Sequence, residues 1–223
     1  TKIYKPAKSS GSGNNRQNLR KAAKLLKTAG WKIKNNNLVN IVSGKKMEIE
    51  FLLVSPAFER IVSPFIRNLR RLGIKSKIRT VDPAQYQNRV RNFDFDIIVS
   101  TFSQSLSPGN EQRNYWHSSS AEKVGSRNLI GINDPAIDFL VEKLISSKNR
   151  PALLLASRAL DRVLQWNHFV IPQWHIRSDR IAWWDKFGKP KQKPAFGIGF
   201  FSWWFDKNKQ STLQPPSRIS ENK

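Results

Sequence analysis

Residues 47–103 alternate between strand-like and helix-like patterns, and this alternation restricts the fold more than any other feature of the chain. "MEIEFLLVS" is a strand-sized run that ends in continuous apolar residues. "FERIVSPFIRNLRRLG" places Phe58, Ile61, Val62, Phe65, Ile66, Leu69 and Leu72 on one broad helical face, and Gly73 stops it. "IKSKIRTV" is extended again. Two strands joined by a helix of this length imply parallel pairing through a right-handed crossover. Asp82-Pro83 starts another helix, with Asp as cap and Pro in the first turn, running to about Asn92. The strand "FDIIVSTF" follows. The order β-α-β-α-β predicts an α/β layer over residues 45–103. Pro64 falls inside the first of these helices, where a missing N–H is expected to kink or split it near Val62.

The flanks read differently. Residues 1–13, "TKIYKPAKSSGSG", form a flexible lead-in, after which Asn14 or Asn15 caps a helix carrying Leu19, Ala22, Ala23 and Leu26 and ended by Gly30. "WKIKNNNLVNIVSGKK" contains two turns around a short extended piece. Asn133-Asp134-Pro135 and Asn149-Arg150-Pro151 open two helices that form a hairpin. "FVIPQWHI" and "RIAWW" look extended, and Pro172 makes the first a sheet edge or a crossing between lobes. From Asp185 onward the chain is rich in Lys, Pro and Gly, with Phe196, Phe200, Phe201, Trp203, Trp204 and Phe205 in a short space. These aromatics need a surface to bury against.

With 223 residues, 39% of them hydrophobic, the chain can build a real core. No run approaches the roughly 18 to 20 apolar residues of a membrane span. Cysteine is absent, so the redox compartment stays open. Thr1 is followed by Lys-rich polar sequence without a signal-peptide core or an initiating Met, which predicts that the native amino terminus is missing. The formal charge of +23 suggests an anionic partner. A nucleic-acid site, however, groups its cations on one element. Here they are spread along the chain, and the densest cluster, Lys186, Lys189, Lys191 and Lys193, is interrupted by Gly188, Pro190 and Pro194. A generally basic solvated surface is the favoured reading, with no specific nucleic acid expected; a basic nucleic-acid-binding protein is the alternative.

The residues that carry chemistry are few. His117, His168 and His175 lack zinc spacing, and no metal or cofactor is expected. Asp94 and Asp96 would share one side of a strand start, but finishing a turn explains them better than an acid–base pair. "GSGNNR" lacks the third glycine of a dinucleotide loop, and "SGKK" lacks the upstream glycine of a phosphate loop. No nucleophile elbow exists, so an enzyme reading has no assembled site. What remains is "SQSLSPGNEQRNYW", beyond the carboxyl end of a buried strand, where open α/β sheets collect ligands. Its hydroxyls, amides, single acid, single base and aromatics suit a ligand with peptide-like groups. The competing reading is a loop whose side chains satisfy its own backbone.

The phrases "NNRQNLRKAAKLLKTAGW", "FLLVSPAFERIVSPFIRNLRRLGI", "RTVDPAQYQNRVRNFDFDIIV", "QSLSPGNEQRNYW", "GSRNLIGINDPAIDFLVEKL" and "RALDRVLQWNHFVIPQWH" resemble, in this order, the carboxyl-terminal part of an extracellular solute-binding protein of family 5. These are peptide receptors of ABC importers, and the resemblance is to the YejA-like branch, associated with oligopeptides and the peptide-nucleotide antibiotic microcin C. It implies a periplasmic-binding-protein-like α/β lobe with a mixed, largely parallel sheet flanked by helices. Residues 14–180 would form the second of two lobes, and 181–223 a return segment whose Trp183, Trp184, Trp203 and Trp204 pack on a first lobe absent from this chain. It further implies a periplasmic monomer that hands an oligopeptide to ABC permease and ATPase subunits. Ser103, Gln104 and Ser105 would bond peptide backbone, Asn110 would face the ligand, Arg113 would pair with a carboxylate or phosphate, and Trp116 would stack on a side chain. Arg127 and Asn128 are second choices. One departure stands out: receptors of this family that grip a free peptide amino terminus use an aspartate just after this strand, and Gln104 falls at about that position. A neutral amide cannot supply that charge-assisted bond.

Overall fold

A computed structural model describes residues 3–9, 11–176, 178, 180–192, 194 and 197–211. The elements run α1 (Arg16–Thr28), β1 (Trp31–Lys34), β2 (Asn37–Asn40), β3 (Glu48–Leu53), α2 (Glu59–Arg71), β4 (Lys75–Thr80), α3 (Pro83–Arg91), β5 (Ile97–Ile98), α4 (Glu111–Trp116), α5 (Pro135–Ile145), α6 (Arg150–Trp166), β6 (Phe187–Gly188), β7 (Trp204–Phe205) and α7 (Lys207–Ser211). The chain divides into two compact units, Thr1–Val170 and Ile171–Lys223. Of the sequence expectations, Lys193, Phe196 and the portion of the return segment beyond Ser211 lie outside the described residues, as do residues 1, 2 and 10 of the lead-in. No helix among the described residues is long and apolar enough to cross a membrane.

In the first unit, β3 is the centre of a three-stranded parallel sheet of order β4-β3-β5. Phe51, Leu52 and Leu53 are buried in it, as expected of a strand covered on both faces. Val62 and Ile66 of α2 pack on Phe51 and Leu53. The Asp82 carboxylate accepts the Ala84 and Gln85 N–H groups at 3.0 Å, and Asp134 and Asn149 cap α5 and α6 in the same way. Asn35 and Asn36 take positive φ between β1 and β2, the tight hairpin turn that Asn tolerates. Gly73 also has positive φ, and a Cβ there would crowd the Leu38 N–H at 2.9 Å.

Three expectations are corrected. Pro64 does not split α2, which runs unbroken from Glu59 to Arg71. Pro64 and Arg60 both lie on the exposed face, so the Arg60 carbonyl that loses its N–H partner is turned toward water. The strand expected over 95–102 pairs only at Ile97 and Ile98. Ahead of it the Asp96 carboxylate accepts the Glu50 N–H at 2.8 Å, replacing a ladder carbonyl with a side chain. Residues 111–116, taken as loop, form the helix α4. In addition, the stretches 169–176 and 180–184, which look extended in sequence, make no strand pairing.

The main core lies between α4, α5 and α6, where Tyr115, Trp116, Ile132, Ile137, Val141, Leu144 and Leu160 are buried together. A smaller cluster joins the β1–β2 hairpin, α1 and the end of α2 through Leu38, Leu72 and Ile74. In the lead-in, Tyr4 sets its ring edge-on to Trp166 at 5.5 Å and His168 at 5.3 Å, and Lys8 offers its carbonyl to Asn18.

The second unit has the two-stranded antiparallel pair β6–β7. Gly188 lies under the Trp204 indole, and a Cβ at that position would run into the ring. Trp183 and Trp203 meet edge to face at 5.4 Å, and the Lys189 ammonium sits 3.7 Å from the Trp183 centroid and 5.0 Å from that of Trp203.

Ile137, fully buried, and Leu155, 73% exposed on α6, give a test of the main core. Ile137→Ala is expected to cost about 2–5 kcal/mol in urea unfolding, while Leu155→Ala stays within about 0.5 kcal/mol of the parent.

Candidate functional site

The chain leaves the carboxyl end of β5 at Ile98, crosses residues 99–110 and enters α4 at Glu111. The Glu111 carboxylate accepts the Gly109 N–H at 2.9 Å and closes the turn that starts the helix. That bond holds the Glu111 carboxyl below its ordinary range, against the opposing effect of burial. On the other side of the loop, the Arg150 guanidinium donates to the Leu106 carbonyl at 2.5 Å and to Ser107 Oγ at 3.3 Å, tying the loop to the start of α6.

Ser103, Gln104, Ser105 and Asn110 are exposed on this loop. Ser105 Oγ accepts the Ser107 N–H at 3.1 Å, one local bond of the kind that competes with ligand binding. Gln104 Oε1 accepts from Gln112 Nε2 at 2.8 Å, and Gln112 Oε1 accepts from the Trp116 indole N–H at 3.0 Å. Gln112 is buried, and sequence reasoning passed over it. The available signal was its spacing, four residues before Trp116, which puts both on one helical face once α4 is recognised.

The other candidates occupy different settings. Arg113 forms a bidentate pair with Glu142, both N···O distances being 2.6 Å, and donates to Asn110 Oδ1 at 3.3 Å. The Arg113 guanidinium holds the Glu142 carboxyl below its ordinary value, and burial opposes this. The cation expected to meet a ligand carboxylate or phosphate is therefore already neutralised by α5. Trp116 is 7% exposed and stacked on Phe102 at 4.9 Å, so its ring belongs to the core that anchors the loop. Asn128 is fully buried; its amide donates to the carbonyls of Ile132 and His117 and accepts the Ile132 N–H, closing the turn at residues 128–132. Arg127 is exposed, with its guanidinium 5.1 Å from the Tyr115 ring centroid. The structure thus brings Gln104, Gln112 and Trp116 into one chain of hydrogen bonds, leaves Ser103, Ser105 and Asn110 outward, and sets Asn128 inside.

His117 Nδ1 accepts the Ser119 N–H at 3.1 Å and lies 3.8 Å from Asp138. Asp138 in turn accepts the N–H and hydroxyl of Ser118. Asp94 pairs with Arg89 at 2.8 Å, so both aspartates at the start of β5 have structural partners. They border a polar groove of about 910 Å³ at the amino ends of β3 and β4, the opposite end of the sheet from the loop. In that groove Glu48 is matched by Lys75, and Glu50 by Lys77 and Arg89.

Two measurements check this reading. Asn128→Leu removes the partners of the Ile132 N–H and carbonyl and one of the two donors to the His117 carbonyl, whose other donor is the Ser120 N–H, and is expected to cost at least about 2 kcal/mol in urea unfolding. Because the Glu142 carboxyl is held below its ordinary value of 4.5, the ion pair stabilises above that range and is lost as the pH falls through the depressed value. The stability difference between the parent and Glu142→Gln should be full at neutral pH and close on acidification, followed by urea titrations across that interval.

Comparison with known proteins gives the family and the fold. Residues 2–123, more than half of the chain, match the family described as bacterial extracellular solute-binding proteins, family 5 (middle). The probable peptide-binding protein YejA of Agrobacterium fabrum is 45% identical over 193 residues, covering 86% of this chain and 31% of that protein. The uncharacterized protein YejA of Escherichia coli is 40% identical over 223 residues, covering 99% of this chain and 36% of that protein. Among solved structures, the oligopeptide-binding protein AppA of Bacillus subtilis, in complex with a nonapeptide, superposes with a TM-score of 0.60 at 24% identity, over 67% of this chain and 30% of AppA. The last likeness shows the fold: a periplasmic-binding-protein-like α/β arrangement around a parallel sheet. The chain spans about a third of the length of these relatives, and within that span it belongs to the bacterial extracellular solute-binding proteins of family 5.

Proposed function

We propose that the chain supplies one lobe, residues 14–180, and a return segment, 181–223, to the substrate-binding component of a peptide ABC importer. The receptor works in the periplasm as a monomer, closes over an oligopeptide or modified peptide by hinge motion and delivers it to the permease and ATPase subunits. It binds and does not turn over its ligand. The observation that carries this reading is the exposed group Ser103, Gln104, Ser105 and Asn110 at the carboxyl end of a parallel sheet, where such folds collect ligands, in a chain of this family. A polar wall rooted in a packed aromatic core suits a peptide backbone, which offers donors and acceptors at regular intervals. Microcin C, a peptide joined to a nucleotide, is a candidate within this ligand class.

Trp184 and Trp204 remain largely exposed, while Trp183 and Trp203 surround Lys189. Apolar surface of this kind supports the reading that the return segment packs on another lobe.

The test uses the full-length protein. Incubation with a tripeptide library followed by native mass spectrometry is expected to show retained peptides, with a matching change in tryptophan fluorescence. Nanomolar duplex-DNA affinity with steep salt dependence and no peptide response would instead favour the nucleic-acid alternative.

A further inference from the structure

The hydrogen bonds behind Gln104 set which polar group this side chain can show a ligand. Trp116 lies in the core, and its indole N–H can only donate. It donates to Gln112 at 3.0 Å, which places the Gln112 carbonyl oxygen toward Trp116 and its amino group toward the loop. That amino group needs acceptors, and it has two: Gln104 Oε1 at 2.8 Å and Glu111 Oε1 at 3.2 Å. Glu111 is held in place by the Gly109 N–H, and its carboxylate can only accept from Gln112. Every polar group of the Gln112 amide is therefore assigned, and Gln112 is 3% exposed, so its orientation is locked by packing as well as by bonding.

The consequence falls on Gln104. Its carbonyl oxygen is turned inward to Gln112, and its Nε2 amino group makes no hydrogen bond to any described residue. Gln104 is exposed at the surface of the loop, so the group it offers outward is a pair of N–H donors. A glutamine able to rotate would offer a donor or an acceptor according to the ligand. This one has that choice removed, because turning the amide would set its N–H groups against those of Gln112 and leave Gln112 only its longer bond to Glu111.

We infer that Gln112, held by the Trp116 indole, is a positioning residue that makes Gln104 a donor-only contact, so that this receptor selects a ligand oxygen acceptor there, the acyl carbonyl of an amino-blocked or modified peptide, over an ammonium group. The inference rests on the reading of the loop as the peptide-facing wall. An ammonium carries only donors and would meet Gln104 donor to donor, whereas an acyl carbonyl accepts from it directly. Two acids lie near this loop, and both already have partners: Glu142 pairs with Arg113, and Glu111 accepts from the Gly109 N–H and the Gln112 amide.

The test compares an equimolar tripeptide library with the same library acetylated at the amino terminus, both offered to the full-length protein and scored by mass spectrometry of retained ligand. The unmodified protein is expected to retain acetylated members over free-amine members by about threefold to tenfold, the weight of one net hydrogen bond. Gln104→Glu, on the exposed side of the relay, replaces the donors with a carboxylate and is expected to reverse that ratio. Gln112→Leu releases Gln104 to rotate, and its ratio should fall toward one while total retention persists. An unmodified ratio at or below one, an unchanged ratio in Gln104→Glu, or an unchanged ratio in a folded Gln112→Leu each overturns the inference. Should Gln112→Leu not fold, as judged by circular dichroism, the amide proton shifts of Gln104 Nε2 decide. A downfield shift when the acetylated library binds supports the donor role, and no shift overturns it. Retention of neither library overturns the peptide-receptor reading itself, a result distinct from retention of both without discrimination.

Discussion

Burial of Trp116 against Phe102 and the α5–α6 hairpin determines where the chain leaving the sheet can go. Phe102 stands just past β5 and Trp116 ends α4, so their stacking at 4.9 Å pulls the two ends of the intervening loop together. Tyr115 joins the same core, and the whole group is covered by Ile137, Val141 and Leu160. A large aromatic gives most of its stabilisation only when it is close to fully buried, and its N–H must then find a partner. That partner is Gln112, which links the buried Trp116 to the exposed Gln104. Packing energy in the core thereby becomes orientation at the surface.

Ion pairs along the chain act in a quieter way. The chain has 39 basic and 16 acidic residues, and several of its acids are taken up by nearby cations. Glu142 is held by Arg113, Glu50 lies between Lys77 and Arg89, and Asp185 pairs with Lys209. These pairs are partly exposed, where each is worth little by itself, so their effect is to set geometry more than to add stability. The surplus positive charge bears on solubility and encounter rates.

Much of the architecture was legible before any coordinates. The caps at Asp82, Asp134 and Asn149, the apolar face of α2 and the buried run at Phe51–Leu53 all follow from local rules, and each acts where the sequence places it. The failures share a cause. Pro64 is tolerated because of which face of α2 it occupies, β5 is short because Asp96 reaches across to the Glu50 N–H, and α4 forms because Tyr115 and Trp116 have a core to enter. None of these is a property of a neighbouring residue in sequence. The candidate site divides in the same way. The exposed polar loop beyond the strand was readable from residue type and position, but the commitment of Arg113 to Glu142, 29 positions away, was not.

The sequence by itself determined the α/β order, the starts of α3, α5 and α6, the family and the loop that leaves the carboxyl end of the sheet, because these depend on periodicity, caps and residue order. Only the tertiary structure decided which side chains of that loop remain available and which way they point. Asn128 and Trp116 look like surface recognition residues in one dimension and are interior in three. Gln104 carries both a donor and an acceptor in the sequence; the fold shows a ligand only the donor, because a buried indole N–H two hydrogen bonds away has already claimed the acceptor side of the relay.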